Sequence, residues 1–218
     1  MRRKQSQAEK IRQLSDHELI INLYVTQLLL AAVTVILAFL FFDYPGDIGE
    51  WIRWRPLAIV MYGGGFALLV LLLDWFLTVT VPDELYSDGG VNERIFSALS
   101  VPHIFVAALV IAVVEECLFR GVLQVQFGIV FASALFAVLH IRYLRKVVLF
   151  FVTVVLSFML GWLFLVTHNL LATIFAHFVI DFVLGVTVHF HAQKKGGGKV
   201  ESTENGRIPS DGNTDPDR

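Results

Sequence analysis

The chain has 218 residues, 56% of them hydrophobic, with a formal charge of −2 and a mean hydropathy of +0.68. Soluble domains are roughly 45–50% apolar, dispersed by periodicity; here the apolar residues fall in blocks of about 17–25, the length that crosses a hydrocarbon core. This excludes a water-soluble domain, the lack of a basic stripe excludes nucleic acid as a partner, and the single cysteine, Cys117, excludes an intrachain disulfide and a multi-cysteine metal site. The expectation is an all-α, polytopic membrane bundle of about six transmembrane helices.

Residues 1–19 are polar and basic, with Arg2, Arg3, Lys4, Lys10 and Arg12, and read as a cytoplasmic surface segment. The apolar run that follows is too long for a cleaved signal peptide. Ile20 to Phe42 is the first span, broken by the loop signal Asp43-Tyr-Pro-Gly-Asp. Leu57 to Val81 is the second; its Gly63-Gly64-Gly65 would let another helix approach closely. Asp74 in this span reads as structural. Pro82 to Asn92 is an acidic loop. The third span runs from about Pro102 to Phe127, where Gly128 can end it, and the fourth is short, Ile129 to Ile141. Arg142, Arg145 and Lys146 mark a loop. Val147 to Val166 is the fifth span, His168-Asn169 a tight connection, and Leu170 to His189 the sixth. His103, His189 and His191 read as residues of the membrane surface. Residues 192–218 are Gly-, Asp-, Asn- and Lys-rich and read as a disordered tail. The transmembrane domain is thus 20–191.

Basic residues outside the spans select the cytoplasmic side. With both termini cytoplasmic, that side collects the N-terminal cluster, Arg94, the 142–146 loop, Lys194, Lys195 and Lys199, leaving Arg53 and Arg55 opposite.

Besides Asp74, three spans carry ionisable groups, and such groups at that depth mark functional sites facing a bundle interior. In the third, Glu116 and Arg120 are four apart and share a helical face. Glu115 is turned about 100° from Glu116, so it is the carboxylate freer for proton chemistry. Its acidity is pulled one way by burial and Glu116 and the other way by Arg120. That tuning suits a general base. If the chain turns at Gly128, Glu116 and His140 each lie about twelve residues from the turn, so antiparallel helices bring both to one level, about 18 Å in. His177 and Asp181 share a face of the last span.

The residues Glu115-Glu116-Cys117-Leu118-Phe119-Arg120 with Gly121, then Phe136-Ala137-Val138-Leu139-His140, then His177-Phe178-Val179-Ile180-Asp181, resemble the CAAX protease and bacteriocin-processing (CPBP, or Abi) family of intramembrane endopeptidases. The resemblance covers about 101–184, the catalytic half. It implies a bacterial plasma-membrane protein that hydrolyses a peptide bond in a peptide or membrane-anchored protein. It also implies that Glu115, assisted by His140, activates water. His177 and the residue at Asp181 stabilise the oxyanion, and Arg120 with Glu116 holds the site or contacts substrate. Many members have Asn where this chain has Asp181. Asn donates to an oxyanion; an ionised Asp only accepts. Asp181 therefore either stays protonated or orients His177, as the acid of a triad does.

Two alternatives use the same residues. Glu115, His140 and His177 are acceptable zinc ligands with water in an open position, although no H-E-x-x-H helix is present; the preferred mechanism requires no cofactor. A non-catalytic scaffold or regulator would keep the fold and bind a partner. A small transporter fits less well, because the six spans are unequal and show no repeat. Cys117 lies among the charges without a sequence-visible histidine to activate it.

Overall fold

A computed structural model describes residues 14–43, 45–82, 90–140 and 147–204. The expected basic segment before residue 14, most of the acidic loop, the loop at Arg142–Lys146 and the tail beyond 204 lie outside the described residues.

The first helix, α1 (Asp16–Phe41), starts four residues before the expected span. The reason is local: Ser15 and Glu18 form a reciprocal capping box, with Glu18 N–H donating to Ser15 Oγ at 3.2 Å and Ser15 N–H to Glu18 Oε2 at 2.7 Å. A 3₁₀ turn, Pro45–Trp51, follows. The second span is α2 (Pro56–Thr80), widened to a π-helix over Ile59–Gly64. Of the three glycines whose run suggests close approach, Gly63 is the one that makes it. A Cβ on Gly63 would sit 2.6 Å from the Ala172 carbonyl oxygen, so only glycine lets the two backbones meet.

A short helix, α3 (Val91–Ala98), was not legible as an element. Its Val91 and Ile95, with Leu99, pack on Leu19 of α1 and on Ile104 and Ala107. Arg94 ties it to the start of α1 through Asp16 at 2.8 Å. It also covers His189, whose Nδ1 meets the Phe96 carbonyl at 3.0 Å, so that histidine is buried rather than at the surface.

Next come α4 (Val101–Glu116), a π-helix over Cys117–Gln124, and α5 (Val125–Leu139). Hydrogen bonding runs on through this stretch, but Gly128 at φ 82°, ψ 168° breaks it. Phe119 and Phe136 lie edge to face, 4.8 Å between centroids. Seventeen residues of unbroken helix would separate them by about 25 Å, so α5 folds back along α4 as the glycine implies. Beyond Gly128, α5 adds about 16 Å of helix and stops at His140, part-way through a bilayer of about 30 Å.

The last two helices are α6 (Val147–Thr167) and α7 (Leu170–Glu204). They meet at the expected His168-Asn169 connection. His168 has φ 44°, and Asn169 side-chain oxygen accepts from Arg53 N–H while its amide donates to Arg53 carbonyl. The last helix runs past residue 192 to Glu204, into the stretch read as a tail.

Among the described residues, five stretches are long and apolar enough to span a membrane, and the Gly128 hairpin makes the third of them two helices. Large apolar side chains point outward along them, Leu28 at 71% and Phe39 at 70% exposed, as a lipid-facing surface requires. The segment from Leu118 to Gln124 is buried on every side.

Candidate active site inside the bundle

The centre of the site is Glu116, whose side chain is fully buried. It sits at the last α-helical turn before the π-helix. The wider turn leaves Arg120 on the same face, with Nη1 3.1 Å from Glu116 Oε1. Arg120 is then held by α6: Nη2 donates to Ser157 carbonyl at 3.0 Å and to Ser157 Oγ at 3.2 Å. Its guanidinium also lies 5.2 Å from the centroid of the Phe136 ring on α5, a cation–π distance. A single arginine thus joins three helices by its planar fork, which a lysine cannot reproduce.

From α7, His177 reaches the same carboxylate oxygen, Nδ1 to Glu116 Oε1 at 2.9 Å. With Glu116 ionised against Arg120, Nδ1–H is the donor. The other ring nitrogen faces Asp181 Oδ2 at 3.4 Å, one turn further on. Asp181 is partly exposed, whereas His177 is not.

Glu115 is buried but takes no part in this chain of contacts. Its Oε1 accepts from Gln27 Nε2 of α1 at 3.2 Å. His177, His140 and Asp181 all fall within electrostatic range of it. His140 caps the end of α5. Its Nδ1 meets the Phe136 carbonyl at 2.8 Å, and the ring stacks on Phe136 at 4.3 Å. A carbonyl only accepts, so Nδ1 carries the proton and Nε2 is the basic nitrogen in the neutral ring. Arg120 and Phe136, each eight residues from Gly128, are in contact, which puts Glu116 and His140 at matching levels.

All six residues expected from sequence therefore gather at one end of the α4–α5 hairpin, against α7. Among the described residues, three side chains around them were missed: Gln27, Ser157 and Thr173, each buried. The only available signal was a polar residue inside an apolar span, as at Gln27, and its partner could not be read from that.

The proposed zinc set of Glu115, His140 and His177 does not suit a metal in this arrangement. Both nitrogens of His177 face carboxylates, so neither turns a lone pair outward. Among the described residues, no three His, Cys, Asp or Glu side chains stand at ligating positions.

An integral membrane protein with an acid–imidazole cluster enclosed by its own helices is the class that fold and site define. The family model described as type II CAAX prenyl endopeptidase Rce1-like matches residues 97–183, which include all six site residues. "Uncharacterized protein YpbD" of Bacillus subtilis (strain 168) is 41% identical over 182 residues, 83% of this chain and 96% of that protein. No solved structure gives a significant match. The chain belongs to the Rce1-like family of membrane proteases, within the CAAX protease and bacteriocin-processing group that its motifs resemble.

Proposed function

We propose that the protein is an intramembrane endopeptidase using a glutamate-activated water. The observation that carries this reading is the meeting of Glu115, His140 and the Glu116–His177–Asp181 chain at one depth from three helices. Glu116 is committed to Arg120 and His177, and Glu115 is not.

In this mechanism a water stands between Glu115 and His140. Glu115 takes its proton as the oxygen attacks the substrate carbonyl carbon. His140, with Nδ1–H fixed on Phe136, offers Nε2 for the second proton and returns it to the amine nitrogen as the C–N bond breaks; Glu115 then gives its own proton to the departing amine, which resets both groups. The oxyanion is met by the N–H of His177, whose bond to Asp181 is long enough to be exchanged for a better one. Asp181 orients His177, the second of the two roles open to it from sequence. Arg120 holds the Glu116 side chain in place. No step passes through a metal. The substrate is a peptide or membrane-anchored protein entering from the lipid, and both termini of the enzyme are cytoplasmic by the basic-residue bias.

The test compares protein termini in membranes from cells making wild type, Glu115→Gln or His140→Ala at equal abundance. Wild type generates new termini that both variants lack, and dialysis against a chelator leaves wild-type cleavage intact. A Glu115→Gln variant with the wild-type set of termini would refute the mechanism and favour the scaffold.

A further inference from the structure

The residue that holds Glu115 comes from outside the stretch matched by the family model. Gln27 lies in the middle of α1, and its side chain is 94% buried by the 6% that remains exposed. On the same face of α1, Leu19, Leu23 and Tyr24 pack into the cluster with Ile104, and Leu30 and Leu37 pack into the cluster with Phe119 and Phe136. Gln27 is the polar break between two apolar clusters, at the level of Glu115. The direction of its amide is settled by chemistry. Nε2 donates to the carboxylate at 3.2 Å, and the reversed amide would set oxygen against oxygen.

Among the described residues, Gln27 Oε1 has no hydrogen-bond partner, although it is buried. A hydrogen bond to a carboxylate stabilises; an orphaned buried acceptor costs a comparable amount. The two largely offset, and what leucine would still cost the fold is the weaker pairing of the buried Glu115. Buried unpaired groups in native proteins call for an explanation, and the one side chain that Gln27 serves is Glu115.

From this geometry we infer that Gln27 is a positioning residue: it fixes the rotamer of Glu115 so that the free carboxylate oxygen faces the reacting water. The inference rests on the endopeptidase reading. α1 is then part of the active site, and the catalytic half does not suffice by itself.

The experiment uses full-length protein in liposomes and a peptide spanning a Glu115-dependent cleavage site found by the terminus comparison. Gln27→Leu keeps the volume and removes the donor. Gln27→Asn keeps the amide but is one methylene too short. Both lower kcat by about 10- to 100-fold, the scale of a displaced catalytic group, with KM little changed. The thermal midpoint stays within about 3 °C of wild type. Gln27→Glu, which sets carboxyl against carboxyl, loses at least as much rate. Unchanged kcat in Gln27→Leu, or a kcat loss matched by a large drop in thermal midpoint, overturns the positioning role. That result is separate from failure of the endopeptidase reading, in which wild type itself cleaves nothing or Glu115→Gln cleaves normally.

Discussion

Replacing Arg120 with methionine tests whether the buried ion pair is a structural keystone. Arg120 is 1% exposed and Glu116 is fully buried, so screening by water is negligible. The substitution removes the 3.1 Å contact to Glu116, two hydrogen bonds to Ser157 and the stacking on Phe136. What remains is a buried carboxylate that has lost its cation and keeps His177 as hydrogen-bond partner. Breaking one side of a buried pair costs about 3–5 kcal/mol, chiefly through the stranded charge. For a chain of this size each kcal/mol moves the midpoint by about 2–4 °C, so the expected fall is about 6–20 °C. Thermal unfolding of purified protein in detergent, followed by tryptophan fluorescence, reads it directly. The double variant Glu116→Gln, Arg120→Met removes both charges and recovers most of the loss. Arg120→Lys keeps a charge but loses the fork and falls between. A midpoint for Arg120→Met within about 2 °C of wild type would refute the claim that this pair is dry and closely coupled.

Three glycines give sharper tests of packing and backbone strain. Gly63→Ala places a methyl 2.6 Å from the Ala172 carbonyl oxygen and should cost about 1–3 kcal/mol in thermal unfolding. Gly65→Ala, with nothing within 4 Å of its Cβ, should be neutral or slightly stabilising in the same assay. Gly128→Ala meets no neighbour either, yet its backbone at φ 82°, ψ 168° is a glycine region, so about 1–3 kcal/mol is lost from strain alone. Cross-linking of cysteines placed at 119 and 136, in a background where Cys117 is replaced by serine, should form and weaken in Gly128→Ala.

The hairpin register was the most legible part of the site. Gly128 and the equal spacings to Glu116 and His140 are properties of one continuous stretch, and helical rise converts residue number into depth. The same holds for Glu116 with Arg120 and for His177 with Asp181, because a shared face follows from four-residue spacing. None of these spacings says which helix stands opposite. Sequence reading separated the freer Glu115 from the paired Glu116 but could not supply Gln27, eighty-eight positions earlier. Nor could it supply Ser157 or the covering helix α3.

What the sequence determined by itself was local and periodic: span lengths set by the thickness of lipid, breaks set by glycine and proline, and polar residues on common faces. The tertiary structure alone decided the rest. It chose His177 as the second partner of Glu116, widened the helix after Glu116 into a π-turn, and turned the interior of α1 toward the third span. The physical reason is that side-chain periodicity fixes directions around a helix axis, whereas neighbours are fixed by the summed packing of all helices. The close contact of Gly63 with Ala172 belongs to that sum, and no window of residues around either position contains it.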